Sequence, residues 1–145
     1  MSSNRESPQP EFGAVSPVDP ARKRILIVED DSLNRQMLQD YIVFCGYSVL
    51  SLPSGDEFFE EIAAFQPHLI LLDLRLPRID GYTLLAQLKV NPNYQHIPVI
   101  IVSACAFRVD KQRAFNLGAR RYFIKPVNLI DLKIAIYDEL SSLIY

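Results

Sequence analysis

The stretch HLILLD, residues 68–73, decides the fold of this chain. Four consecutive bulky aliphatic residues are typical of a strand buried on both faces, as strands are inside a parallel sheet. The run ends in Asp73, and a carboxylate is rarely left unpaired in an apolar interior because its desolvation is costly. We therefore expect Asp73 either where the strand emerges into a cleft or beside close partners.

Strand-like and helix-like segments alternate five times from Lys23 onward. Aliphatic runs predict strands at RILIV (24–28), YSVLSL (47–52), HLILLD (68–73), PVIIVS (98–103) and RYFIK (121–125). Helices are predicted at 32–45, 55–65, 82–90, 110–118 and from Asn128 to the C-terminus. This order predicts the α/β class: five strand–helix pairs forming a doubly wound, five-stranded parallel sheet with helices on both faces. The last three strands are short and aliphatic, which favours central positions in the sheet.

Several polar residues are predicted to begin helices. Asp31 or Ser32 can cap the first helix, Asn128 can cap the last, and the segment 54–57 (SGDE) matches a capping box for the second. Asp31 is accordingly interpreted as a helix cap rather than a metal ligand, and Asp80-Gly81 as the residues of a turn rather than of a site. One face of the first helix is predicted to be apolar at helical spacing: Leu33, Met37, Leu38, Tyr41, Ile42 and Cys45.

Composition indicates an ordinary globular protein. The 145 residues are 49% hydrophobic and 22% charged, and the net charge of −2 gives no electrostatic case for nucleic acid or an anionic membrane. Residues 1–22, rich in Ser and Pro, are predicted to be a disordered or flexible tail before one domain at 23–145. Cys45 and Cys105 are interpreted as core thiols, and no apolar run reaches transmembrane length, so a cytoplasmic protein is expected.

Polar residues are predicted to meet at one edge of the sheet. In an open parallel sheet ligands bind beyond the carboxyl ends of the strands, and these ends carry Glu29-Asp30, Asp73, Ser103 and Lys125. Carboxylates so close together repel one another, and a hard divalent cation with retained waters, Mg²⁺ rather than a caged Ca²⁺, relieves that repulsion. A metal, a lysine and a hydroxyl can together hold a phosphoryl group, with Asp73 as its nucleophilic acceptor.

The motifs at these strand ends resemble those of the response-regulator receiver domain of two-component signalling, the family of chemotaxis regulators. ILIVEDD, LLDLRLPRIDG, IIVSA and YFIKP occur in order at the expected spacing, and the resemblance covers residues 23–145. It implies a flavodoxin-like (βα)5 fold with strand order 2-1-3-4-5. It also implies a phosphoprotein in a phosphorelay that catalyses only its own phosphorylation and dephosphorylation, and is otherwise no enzyme.

The resemblance assigns the acidic residues their roles. Asp73 is the phosphoacceptor and shares Mg²⁺, or Mn²⁺ as an alternative, with the acidic pair. Asp30 binds the metal directly and Glu29 through water, while the backbone carbonyl of Arg75 completes the metal shell.

The remaining roles concern phosphate binding and the switch. Ser103 is the switch hydroxyl, Tyr122 is the switch aromatic, and Lys125 binds the phosphate. The Lys125–Pro126 peptide bond is of the kind that is usually cis. The implied partners are a histidine kinase or phosphotransfer protein upstream and a protein partner downstream.

Three positions vary within the family, and other functions stay open. Arg75 is cationic beside the path of a hydrolytic water, Cys105 brings no charge, and Val127 stands where many members have an aromatic residue. A haloacid-dehalogenase-like phosphatase would need an acid at position 75, and a flavodoxin-like carrier would need a phosphate loop after the first strand. Two alternatives to a phosphoacceptor regulator remain open. One is a receiver-like scaffold without phosphorylation, and the other is a receiver excised from a hybrid kinase.

The C-terminal helix carries two apolar stripes. One is predicted to pack on the sheet: Leu129, Leu132, Ile136, Leu140 and Leu143. The second lies opposite: Ile130, Ile134, Tyr137 and Ile144. An exposed apolar strip usually marks a contact site. We therefore predict an interface there, in the simplest case a homodimer, on the face formed by the fourth helix, the fifth strand and the fifth helix.

Overall fold

The computed structural model of this protein describes residues 22–142. Its strands are β1 (Arg24–Val28), β2 (Ser48–Leu52), β3 (Leu69–Leu72), β4 (Val99–Ser103) and β5 (Arg121–Ile124). Its helices are α1 (Ser32–Phe44), α2 (Phe58–Phe65), α3 (Gly81–Lys89), α4 (Arg108–Asn116) and α5 (Leu129–Ser141). The tail predicted at residues 1–22 lies outside the described residues except for Arg22.

The strands form one parallel sheet in the order β2-β1-β3-β4-β5, which confirms the predicted fold class. In the register, Leu72 lies between Val28 of β1 and Ile101 of β4. Neighbouring strands therefore end nearly level, and the polar residues that follow them emerge at the same edge. The position of β5 differs from the prediction, because it is an edge strand with partly exposed side chains rather than a central one.

Two apolar layers cover the sheet. On one face, α2, α3 and α4 pack over side chains that include Leu26, Ile70 and Ile101. On the other face, α1 and α5 pack over side chains that include Ile27 and Leu71. Adjacent residues of each strand alternate between the two layers, which is why the strands read as continuous aliphatic runs. None of the described helices is long and apolar enough to span a bilayer.

Side-chain caps begin three of the helices. The carboxylates of Asp31 and Asp80 accept hydrogen bonds from the backbone N–H groups of Asn34 and Thr83, and Asn128 caps α5 through the N–H of Asp131. Asp31 is thus a cap, as predicted.

The capping box predicted at 54–57 is wrong. Helix α2 begins at Phe58, and its flanking residue Glu57 makes no capping hydrogen bond. Asp56 is instead paired with Arg78, and a Cβ on Gly55 would lie 2.6 Å from Leu84 Cδ1. Contacts with α3 and the loop before it therefore hold this segment in a non-helical path.

The apolar face predicted for α1 is wrong at two positions. Leu33 is 80% exposed and Met37 is also exposed, whereas Gln39 is buried. Gln39 accepts a hydrogen bond of 2.6 Å from the hydroxyl of Ser51 in β2. This buried bond satisfies the amide oxygen and lets the helix turn its polar residue inward and its first apolar residues outward.

The second stripe of α5 faces α1 rather than the β5 edge. Ile134 and Tyr137 line a groove of about 260 Å³ with Cys45 and Tyr47, which follow α1. On the opposite flank of α5, Asp138 lies 3.9 Å from Arg121 of β5. Ile134 and Tyr137 therefore lie on the flank of α5 toward α1, and the interface predicted on the face of α4, β5 and α5 stays a prediction.

Ile130, also predicted for this stripe, is exposed, whereas Ile144 lies outside the described residues. The predicted core stripe is buried at Leu132, Ile136 and Leu140, and Leu143 lies outside the described residues.

Candidate functional site

Three carboxylates meet at the carboxyl edge of the sheet. Glu29 and Asp30 follow β1, and Asp73 follows β3. One oxygen from each lies within 4.8 Å of the others. Glu29 is 1% exposed and Asp73 is 4% exposed, whereas Asp30 is exposed. The cluster thus has two oxygen donors inside the protein and one at its mouth.

Lys125 is the counter-ion of the two buried carboxylates. Its Nζ lies 2.6 Å from Glu29 Oε1 and donates a hydrogen bond of 2.8 Å to Asp73 Oδ2. The Lys125–Pro126 peptide bond is cis, and the backbone N–H of Lys125 donates to the carbonyl of Ser103. Three carboxylates face one ammonium, so the cluster carries excess negative charge.

The buried charges perturb one another. Burial raises the pKa of Glu29, against the lowering effect of Lys125 and of the Asp31 N–H that donates to Oε2. Burial alone would lower the pKa of Lys125, but its contacts with Asp73 and Glu29 outweigh burial and raise it. The lysine is therefore held charged, while Glu29 carries its charge at a cost.

The donor set fits a hard divalent cation. Glu29 Oε1 is fully buried and, within residues 22–142, makes no hydrogen bond beyond its ion pair with Lys125. A buried carboxylate oxygen with only Lys125 as its described partner, beside the oxygens of Asp30 and Asp73, is an arrangement that a cation stabilises. A small number of carboxylate ligands is typical of Mg²⁺ sites that keep several waters.

Backbone groups hold Asp73 in place. Its Oδ1 accepts a 3.1 Å hydrogen bond from the N–H of Arg75, and its own N–H donates to the carbonyl of Val28. Gly81 packs against the backbone of Asp73 and Leu74, where an added Cβ would collide with main-chain atoms. The sequence predicts only a turn at Gly81. The signal for this contact is a glycine that follows, within one loop, a strand that ends in a site residue.

Ser103 and Tyr122 are linked through Cys105 in this structure. The buried hydroxyl of Ser103 accepts a 3.2 Å hydrogen bond from the Cys105 N–H. The Tyr122 hydroxyl donates a 2.7 Å hydrogen bond to the Cys105 carbonyl, and burial raises the pKa of this phenol to about 12. The Tyr122 ring is half-buried against the α2–α3–α4 layer.

Arg75 and Cys105 form a contact that sequence reasoning did not anticipate. Arg75 Nε donates to Cys105 Sγ at 3.0 Å, joining the loop after β3 to the loop after β4. This hydrogen bond is the main reason that the pKa of Arg75 is raised. Cys105 is buried, as predicted, but its thiol accepts a hydrogen bond from Arg75 rather than having only apolar neighbours.

Comparison with known proteins identifies relatives of the same architecture. A family model described as the response regulator receiver domain matches residues 25–137. The polar-differentiation response regulator DivK of Brucella ovis is 36% identical over 107 residues, covering 74% of this chain and 87% of that protein. The DivK of Brucella anthropi is 35% identical over the same shares.

Solved structures agree with the sequence comparison. A response regulator from Chloroflexus aurantiacus superposes with a TM-score of 0.79 at 30% identity, covering 83% of this chain and 98% of that one. A CheY-like response regulator receiver domain from Methanospirillum hungatei superposes with a TM-score of 0.76 at 32% identity, covering 84% and 96%.

Proposed function

Because this chain belongs to the response regulator receiver domain family of two-component signalling, we propose that Asp73 accepts a phosphoryl group from a histidine kinase or a histidine phosphotransfer protein. One observation carries the proposal: the buried carboxylate of Asp73 is bonded to Lys125 within an acidic cluster. Lys125 can pair with an anionic phosphoryl oxygen, and a cation held by the acidic cluster would offset the rest of the phosphoryl charge.

The chain's own residues account for the transfer. A carboxylate oxygen of Asp73 attacks phosphorus, the bond from phosphorus to the donor imidazole nitrogen breaks, and its electron pair leaves with the imidazole. Asp73 becomes an acyl phosphate. Lys125, now bonded to Asp73 and Glu29, is placed to pair with a phosphoryl oxygen instead. Positioning and charge neutralisation supply most of the catalysis.

We further propose that Mg²⁺, or Mn²⁺, is held by Glu29, Asp30 and Asp73, with the backbone carbonyl of Arg75 as a further ligand. The support is the proximity of the three carboxylates, which face a single ammonium, that of Lys125. Bound there, the cation supplies neutralisation of phosphoryl charge.

The switch is proposed to run through Ser103. A phosphoryl group adds about −1.5 to −2 charges at neutral pH, and the Ser103 hydroxyl, whose oxygen accepts from the N–H of Cys105, can donate its own O–H to it. Moving Ser103 toward Asp73 displaces the segment whose carbonyl now holds Tyr122. The surface next to α4 and β5 therefore changes with phosphorylation.

Intact mass after incubation with acetyl phosphate and Mg²⁺ tests the proposal. The wild-type chain should gain one phosphoryl group that is labile to hydroxylamine, and EDTA should abolish the gain. Asp73→Asn should gain nothing, whereas Asp80→Asn, a conservative change at an exposed helix cap, should behave as wild type. Phosphorylation of Asp73→Asn would refute the assignment, and an unmodified wild type would favour the scaffold alternative.

We propose that the exposed stripe of α5 binds a protein, either a second copy of this chain or a downstream partner. Ile130, Ile134 and Tyr137 are exposed on α5, and Leu33 and Phe44 are exposed on α1. The groove between Cys45 and Tyr137 joins the two helices. The support is these exposed apolar side chains and the groove beside them, since exposed apolar patches usually mark contact sites.

Light scattering tests self-association. We expect a wild-type mass above the monomer at high concentration and a monomer for Ile134→Glu combined with Tyr137→Glu. Val109→Glu is the matched control, because Val109 is equally exposed on α4. A monomeric wild type, with and without beryllium fluoride, would exclude the homodimer and leave only a different protein as partner.

A further inference from the structure

A pocket of about 340 Å³ lies at the amino edge of the sheet, opposite the edge that carries Asp73. It is bounded by the end of α2, the first residues of β1 and β3, and the loop between α3 and β4. Its polar lining includes Arg24, His68, Asn93, Tyr94 and His96. The volume is near the lower end of about 300–1,000 Å³ for small-molecule sites. The pocket does not share a residue with the carboxylate cluster.

The charge of the pocket favours an anion. Its lining includes Arg24 and both histidines of the chain but no carboxylate. Arg24 Nε donates to the carbonyls of Phe65 and Gln66 at 2.9 Å, which fixes the guanidinium against the end of α2. Within the described part of the chain, its terminal amino groups have no hydrogen-bond partner. They are available for the paired contact that a guanidinium makes with a carboxylate.

The walls of the pocket are fixed by their own contacts. His68 Nδ1 accepts a 3.0 Å hydrogen bond from the Arg24 N–H, so the neutral ring carries its proton on Nε2. The ring of Tyr94 stacks on Phe59 with centroids 6.4 Å apart. Ile62, Pro67 and Ile97 supply an apolar part of the lining. A ligand would therefore meet a preformed surface, which lowers the entropic cost of binding.

We propose that this pocket binds a small organic anion, a carboxylate on a flat or branched apolar body. The carboxylate pairs with the terminal amino groups of Arg24 and takes a hydrogen bond from a histidine. The apolar body lies against Ile62, Pro67 and Ile97. The site is independent of phosphorylation chemistry, and it offers the receiver a second ligand at the edge away from Asp73.

An NMR titration of the full chain tests the site, with phenylacetate as probe and phenylacetamide as its neutral counterpart. Phenylacetate should shift the amide signals of His68, Tyr94 and His96 and bind about tenfold more tightly than phenylacetamide, a difference of about 1.4 kcal/mol. Equal affinities, shifts scattered over the surface, or no shift at millimolar phenylacetate would each overturn the proposal.

Two alanines of α2 provide a matched pair of variants. Ala63 and Ala64 are both exposed, but only Ala63 lines the pocket. Ala63→Trp should weaken phenylacetate binding at least tenfold, and Ala64→Trp should leave it unchanged; the reverse, or no difference, refutes the site. If Ala63→Trp does not fold, Asn93→Trp at the exposed rim replaces it. Asp73→Asn should bind normally, so failure here is distinct from failure of the proposed phosphorylation.

Discussion

Replacing Lys125 with Met should destabilise the protein strongly in the absence of divalent cations. The side chain is 19% exposed and lies 2.6 Å and 2.8 Å from carboxylates that are 2% and 4% exposed. Removing one partner of a buried ion pair costs about 3–5 kcal/mol, because it leaves an uncompensated charge. Here Glu29 and Asp73 would also repel each other across the space that the ammonium occupied.

Urea unfolding at neutral pH in EDTA measures this cost. We expect Lys125→Met to lose about 3–5 kcal/mol of unfolding free energy, and Lys111→Met on α4 to lose less than about 0.5 kcal/mol. The double variant with Glu29→Gln should recover more than half of the loss. For the wild type, magnesium at a hundred times its dissociation constant should add about 2.7 kcal/mol to the unfolding free energy measured in EDTA.

The reasoning would be refuted if Lys125→Met and wild type unfolded at the same urea concentration in EDTA. It would also fail if Glu29→Gln deepened the loss, since that result would mean that Glu29 stabilises the fold by something other than its pairing with Lys125. Similar slopes of free energy against urea in all variants are needed for the comparison.

Three further outcomes are expected. Cys105→Ala should free Arg75 to pair with the phosphoryl group and shield it from water. Loss of the phosphoryl group, measured by intact mass over time, should then slow severalfold, with Cys45→Ala as the control. An unchanged rate of loss would contradict this role of Arg75. Burial lowers the pKa of His68 below its ordinary 6.5, so the unfolded chain binds the proton first. Stability should therefore be full above pH 6.5 and fall as the pH decreases below it, a slope that urea titrations of His68→Gln should lack. Gly81→Ala should cost about 1–3 kcal/mol in thermal unfolding because its Cβ meets backbone atoms, and an unchanged midpoint would mean the loop adjusts freely.

The sheet and the meeting of charged residues at its edge were predictable from sequence. Parallel strands in register end level, so residues that follow aliphatic runs, such as Glu29, Asp73 and Lys125, must come together. The caps at Asp31 and Asn128 were predictable for a similar reason, since a cap depends on residues within one turn of the chain.

The features that sequence missed depend on partners distant along the chain. Asp56 pairs with Arg78 and does not cap a helix. Gln39 is buried because the hydroxyl of Ser51 in β2 donates a hydrogen bond to it. The contact between Arg75 and Cys105 spans two loops whose relative position no local pattern encodes. Local periodicity carries no information about such pairings, so the helix faces and loop paths they determine could not be predicted.

The hydrogen bond from Tyr122 to the Cys105 carbonyl bears on how much the protein signals before any kinase acts. A modification can change output only by shifting the balance between conformations, and it has little left to shift where the favoured one is already well populated. The Tyr122 bond stabilises the arrangement that the Cys105 segment has without a phosphoryl group, so a shift is left for phosphorylation to make. Tyr122→Phe, which removes only that hydroxyl, should then raise resting output above that of the wild type, and equal resting output would mean that the bond does not affect the balance.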